Sequence, residues 1–222
     1  MANSRGPQTL TQLAEETGAT PVRVEDAARD AEIVAVTVPV KAAPNLPSRT
    51  RRPEPDVPDQ TSGLLDGAAG AVAVVDTGNS YPRQRDGRID AIEDEGLTES
   101  RGTESRGTES RGTESRGTER QIGHPVIKAF NGTFAQDLLD RARPEGSSDR
   151  LALPVAGDDP AAKGEAMGLV EEMGFDTVDA GGLDDFWRQQ PGTPVYGLRA
   201  DSKGVIEELA AAGPERGPEF RG

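Results

Sequence analysis

Apolar residues in this chain fall into short β-branched runs separated by stripes of helical period. Leu10, Leu13 and Ala14 form one stripe, entered by Pro7 at a first-turn position and closed by Gly18. A short extended piece at 20–24 and a short helix at 25–31 lead into EIVAVTVP (32–39). This nearly continuous β-branched run reads as a strand covered on both faces, as in a parallel sheet. AVAVVD (71–76) is a second such strand, ended by a Gly78-Asn79 turn. PVIKAFN (125–131) is a third, followed by a helix at 133–141 with Phe134, Leu138 and Leu139 on one side. LALPVAG (151–157) is a fourth. Asp158 or Asp159 caps the next helix, with Pro160 in its first turn and Met167, Val170 and Met173 as its apolar face. Residues 175–179 form a last strand, and 201–212 an amphipathic helix. Strands alternating with helices predict an α/β fold with a doubly wound parallel sheet, whose ligands sit at the carboxyl ends of the strands. Those ends carry Asn3-Ser4-Arg5, Val38-Pro39, Asp76-Thr77-Gly78-Asn79 and Ala129-Phe130-Asn131.

Three segments break this rhythm. Residues 44–62, PNLPSRTRRPEPDVPDQTS, offer almost nothing to bury and read as an extended linker. A Pro-rich ligand for another protein is the functional alternative. Residues 86–96 are polar and weakly helical. Residues 98–120 are a tandem array in which TESRG runs in succession from Thr98 to Gly117 and a further copy begins at Thr118. A period of five matches neither helix nor strand, and a glycine in every unit disfavours a helix, so a disordered low-complexity loop is expected. A five-codon DNA expansion accounts for it; a selected binding element is the alternative. The tail 213–222 reads as disordered. What remains is one domain, 1–212, whose C-terminal extension covers about 151–212.

Composition narrows the function classes. The net charge of −14 repels nucleic acid and anionic membrane surfaces. No run of 18 apolar residues spans a membrane, and no signal peptide is evident, so a cytoplasmic location is the expectation. The absence of cysteine excludes disulfides and thiolate chemistry.

The motifs ANSRGP, VTVP, VVDTGN, PVIKAFN, LPVAGDD and FDTVDAGGL, in that order, resemble the NADP oxidoreductases that depend on the deazaflavin coenzyme F420. The resemblance covers residues 1–43, 63–97 and 121–212. It implies a Rossmann-like domain and hydride transfer between NADP(H) and the deazaflavin, a reaction in which ring positioning dominates. Carried over motif by motif, Ser4 and Arg5 would hold the 2′-phosphate of NADP; an arginine fork and a hydroxyl suit a phosphate. Thr37, Val38 and Pro39 would line the nicotinamide side through backbone contacts. Ala129 would lie against the nicotinamide ring, and Asn79 and Asn131 would make polar contacts at the rim. The turn Gly157-Asp158-Asp159 would shape the C-terminal half.

The chain also departs from that pattern. Residues 1–7 read as the end of a second strand, and no G-x-G-x-x-G occurs, so the expectation is a sheet lacking the first strand, glycine turn and first helix. A start codon assigned too late would account for this. The run EIVAVTVP then has an unpaired edge, which predicts weak stability, self-association as a homo-oligomer, or loss of NADP binding. The segment 44–62 reads as an insertion, and the repeat stands where a helix with bulky apolar residues is expected. A non-catalytic relative or interaction protein is therefore the main alternative, and a flavin or ferric complex is an alternative acceptor.

Other constellations carry less. Asp76-Thr77-Gly78 spells the loop of an aspartic protease, in which two carboxylates share a proton across a dimer, but Asn79 follows where Ser or Ala is preferred. His124, the single histidine, lacks triad partners and reads as a turn residue. Asp158-Asp159 fits helix capping better than a metal. Trp187 reads as a packing residue, with stacking on a coenzyme ring as the alternative, and Arg188 as a solvated one.

Overall fold

The computed structural model describes residues 1–3, 5–46, 63–68, 73–81, 83, 87 and 114–213. Ser4, most of the Pro-rich segment, the polar stretch 88–96 and repeat residues 98–113 lie outside the described residues, as does the tail from 214.

The N-terminal stripe forms a 3-10 turn, Pro7–Leu10, that runs into helix α1, Thr11–Thr17. Gly18 ends it in the left-handed region (φ 72°) with its N–H on Ala14 O, a geometry glycine adopts without steric cost. No residue of α1 is buried and Leu13 is 45% exposed, so the predicted apolar stripe lacks a covering surface among the described residues. The described residues among 1–7 contain no strand. Met1 instead hydrogen-bonds residues 20 and 22, accepting from Val22 N–H at 2.9 Å. The helix expected at 25–31 shrinks to a 3-10 turn, Val24–Asp26.

Among the described residues five strands follow: β1 (Ile33–Val36), β2 (Ala73–Asp76), β3 (Ile127–Lys128), β4 (Ala152–Val155) and β5 (Asp176–Asp179). All named pairs are parallel. They form a three-stranded sheet, β1-β2-β3, and a two-stranded sheet, β4-β5. The two sheets meet at one antiparallel bridge, where Lys128 and Ala156 exchange both backbone hydrogen bonds (2.7 and 2.9 Å).

Position in the sheet explains the burial. β2 is central and every residue is buried: Val74 packs with Ala28, Val34, Val36, Leu64 and Val126, while Val75 points the other way, to Ile127, Ala166 and Val170. β1 is an outer strand, and only Val34 and Val36 are buried while Ala35 is exposed. The expected cover on both faces of EIVAVTVP is thus corrected, and its outer edge is unpaired among the described residues. β4 has Leu153 and Val155 on the side of helix α4 (Pro160–Glu172), and Ala152 on the side of helix α5 (Ser202–Ala211), where Val205 and Leu209 are buried. Helices on both faces of parallel strands give the doubly wound α/β arrangement.

Asp159 caps α4, its Oδ1 accepting from the N–H groups of Ala161 and Ala162 at 2.9 Å, with Pro160 at the first position. The inward face of α4 is Ala166 and Val170; Met167 packs partly and Met173 is 37% exposed. Helix α3 (Ala135–Asp140) keeps only part of its expected apolar side: Leu138 packs against the cluster around Val75 and Ile127, but Phe134 and Leu139 are exposed, and the buried residue is Asp137, held by Arg199 at 2.8 Å and Arg141 at 3.1 Å. These cations, Arg199 first, hold the Asp137 carboxyl below its ordinary range.

The last full repeat unit overturns another expectation. Residues Glu114–Ile122 form helix α2. Ser115 and Thr118, three apart and so on one face, are buried, and Ile122 packs against the cluster around Val34 and Val74. This helix is held by polar contacts rather than by an apolar stripe. No helix among the described residues is long and apolar enough to cross a membrane.

Candidate functional site

The carboxyl ends of β2 and β3 meet the end of β1 in a layer of polar groups. Thr77 N–H continues the ladder onto Val36 O (3.2 Å), and Thr77 Oγ1 bonds Thr37 Oγ1 at 3.1 Å. Asp76 is the hub. Its Oδ1 accepts from Gly78 N–H at 2.9 Å, and its Oδ2 accepts from the Ser115 hydroxyl at 2.8 Å and lies 3.5 Å from Lys128 Nζ. Lys128 is fully buried. It donates to Gly78 O, and its Nζ stands 4.5 Å from the centre of the Phe186 ring. A buried lysine needs such compensation, because its charge has left water. The geometry gives the aspartic-protease reading no support: Asp76 is 4% exposed, and its carboxylate accepts from Gly78 N–H and the Ser115 hydroxyl beside the Lys128 ammonium, which leaves it buried away from any second carboxylate among the described residues.

Beside this hub, Asn79 and Asn131 face each other. Asn79 Nδ2 donates to Asn131 O at 2.6 Å, and Asn131 Nδ2 donates to Asn79 Oδ1 at 3.2 Å and to Gln189 O at 2.9 Å. Phe130 makes this possible by adopting φ 62°, a left-handed backbone that costs a bulky residue about 1–2 kcal/mol. Tyr81 and Tyr196 join their hydroxyls at the margin.

A second cluster closes the site from the C-terminal half. Arg116 Nη2 meets Asp158 Oδ2 at 2.5 Å, its Nε meets Asp184 Oδ1 at 3.0 Å, and its Nη1 meets Glu119 at 2.9 Å. Burial alone would lower the pKa of the Arg116 guanidinium; the hydrogen bonds it donates to Asp184, Glu119 and Asp158 override this and raise it above its ordinary value. Asp158 is likewise pushed up by burial, but Leu183 N–H and Arg116 bring its carboxyl below the ordinary value. Asp158 therefore ties β4 to the 183–189 segment, and helix capping belongs to Asp159 alone.

The predicted site residues separate into layers. Arg5 is exposed at the N-terminal segment, its backbone N–H held by Asn3 Oδ1 at 3.0 Å. Thr37 is exposed, and Val38 and Pro39 are half-buried at the end of β1. Asn79 and Asn131 are 5% exposed and spend their amide N–H groups on each other, on the Tyr81 hydroxyl and on backbone, so they lie in a buried layer beneath the exposed Thr37. Ala129 is fully buried among Val75, Ile127 and Leu153, which leaves its methyl facing core and not an open crevice. Trp187 is half-buried with Arg188 5.5 Å above its ring, and the buried aromatic of that segment is Phe186. The His124 ring meets the neighbouring Pro125 O at 2.8 Å, and its backbone N–H donates to Glu119 O at 3.3 Å. Among the described residues no group of acidic and histidine side chains is arranged to hold a metal.

Sequence reasoning missed Lys128, Ser115 and Arg116. A lysine inside an apolar strand run was the one available signal, since lysine is almost never fully buried without a partner.

Comparison with known proteins bears on this geometry. Residues 1–61 match the family described as NADP oxidoreductase coenzyme F420-dependent. Over that segment the family resemblance holds. The matched span includes Asn3-Ser4-Arg5, VTVP and most of the Pro-rich segment. Protein YjhV of Escherichia coli is 55% identical over 60 residues, which are 27% of this chain and 44% of YjhV, so the match spans under half the length of that relative. Among solved structures, hypothetical protein SMa0349 from Sinorhizobium meliloti superposes with TM-score 0.59 at 23% identity, over 90% of this chain and 81% of that one, and shares the fold. An F420-dependent NADP-reductase from Arthrobacter aligns over 73% of this chain and 60% of its own at 21% identity, with a TM-score of 0.39, too low to bear on the fold.

Proposed function

We propose that this chain is an NADP-dependent oxidoreductase-type protein that takes NADP(H) at the carboxyl ends of β1 and β2 and exchanges a hydride with a deazaflavin or similar acceptor. The observation that carries the reading is the family match over residues 1–61, which contains the Ser4-Arg5 pair and the end of β1. The exposed Arg5 fits a phosphate, because its fork of donors is turned to solvent. Thr37 offers a hydroxyl, and Val38 and Pro39 a half-buried backbone edge. Asn79 and Asn131 are the layer beneath, fixing those segments. When bound, the nicotinamide supplies the hydride; the chain's own residues hold and orient it and exclude water. Small-molecule coenzymes are the partners in this reading, in a cytoplasmic setting.

The decisive experiment is a calorimetric titration with NADPH and NADH on wild type and Arg5→Ala. Saturable NADPH binding, weakened about tenfold or more in the variant with NADH little changed, is expected for a lost charged hydrogen bond to the 2′-phosphate. Equal losses for both coenzymes remove Arg5 from that role, and no saturation at millimolar NADPH removes the function.

A further inference from the structure

The repeat array is a feature that the proposed reaction leaves unused, yet its last unit reaches the sheet end. We propose that Ser115 is a positioning residue for the 76–79 turn, so that the terminal TESRG unit is a working part of the coenzyme site. This rests on the function proposed above.

The chain of contacts is short. The Ser115 hydroxyl is fully buried and donates to Asp76 Oδ2 at 2.8 Å. The other oxygen of the same carboxylate accepts Gly78 N–H at 2.9 Å, and Lys128 clamps Gly78 O. Gly78 thus has both backbone groups held by this network. The space around it is also fixed: a Cβ there would stand 3.1 Å from Asp76 Oδ1 and 3.7 Å from Val38 O, so the turn lies directly against the end of β1. Remove the Ser115 hydroxyl and Oδ2 keeps only Lys128, at 3.5 Å. The carboxylate is then free to swing toward the ammonium and release Gly78 N–H. Arg116, next in the same unit, fastens the helix to Asp158 and Asp184, which sets the depth at which Ser115 arrives.

Ser115→Ala tests this cleanly, because alanine is the better helix former and does not weaken α2 by propensity. Amide hydrogen exchange is followed at Gly78 and, as an internal reference, at Ala162, whose N–H is held by Asp159 outside the network. Gly78 exchange is expected to rise about tenfold with Ala162 unchanged, and the NADPH dissociation constant to rise by a similar factor, as for loss of one hydrogen bond to a charged group. An unchanged Gly78 rate, or Gly78 and Ala162 rising together, overturns the positioning role. Gly78 loosened with NADPH affinity intact overturns its link to the coenzyme. If the wild type itself binds no NADPH, the proposed function falls while the exchange data still decide what Ser115 does.

Discussion

Asp76→Asn is the most informative single change, because it keeps the shape of the side chain and removes its charge. The carboxylate now serves Ser115, Gly78 N–H and the Lys128 ammonium together. Lys128 is fully buried, and after the substitution only Gly78 O and the face of Phe186 remain to it. Taking one partner from a buried ion pair costs about 3–5 kcal/mol, a large share of the roughly 5–15 kcal/mol that holds a domain together. With a urea slope of about 1–3 kcal/mol per molar, the unfolding midpoint should fall by at least about 1 M. Trp187 is the single tryptophan and reports the transition by fluorescence. The reverse change is milder. Lys128→Met leaves Asp76 with two hydrogen-bond donors, so its cost is about 1.5–3 kcal/mol, that of one charged hydrogen bond. The double variant buries no unpaired charge and should be more stable than Asp76→Asn alone. Additive losses, within about 0.5 kcal/mol, would refute the coupling between these two residues; so would an Asp76→Asn protein within about 1 kcal/mol of wild type.

Two further predictions concern the contacts around Arg116. The Asp158 carboxyl titrates below its ordinary value, so its contribution is present above about pH 4 and fades as pH falls through its native value; Asp158→Asn should cost about 1 kcal/mol at pH 7, discounted for its partial exposure, and the gap in urea midpoint should narrow steadily as pH is lowered below the ordinary carboxylate range, whereas a gap that does not change with pH contradicts the assignment. Deleting Gly117 alone turns the helix upstream of it by about 100° relative to Gln121 and Ile122, which carries the Ser115 hydroxyl away from Asp76, and should cost about 1.5 kcal/mol or more; deleting a whole TESRG unit should change the midpoint little, and equal effects of the two deletions would show that α2 has no fixed register.

The parts legible in the sequence were those set by local chemistry and by central position. β2 reads correctly because a middle strand is covered on both faces, and its burial is as continuous as its apolar run. Pro160 behind Asp159 marks a helix start by its own bonding. β1 carries the same kind of run but is an outer strand, and no local feature tells an outer strand from an inner one. Asp137 escaped because an i,i+4 partner such as Arg141 is ordinary on an exposed helix face; the fold brings the distant Arg199 to it and buries it, while Phe134 and Leu139 look outward. Helix α2 escaped for a related reason. Period-five polarity builds no apolar stripe, but Ser115 and Thr118 three apart make a polar face that the end of the sheet can satisfy. Its stability lies in tertiary contacts, which propensity does not register.

Helix α2 also bears on how the gene tolerates error. Tandem codon blocks gain and lose copies when polymerase slips, and such events usually scramble whatever lies in a folded region. Here the residues that grip the body are spelled identically in the preceding block, so slippage by one block hands the same serine and arginine to the same partners. Inheritance of array length is thereby uncoupled from the architecture it adjoins, and length variants of this chain should persist in populations where any out-of-step loss is purged.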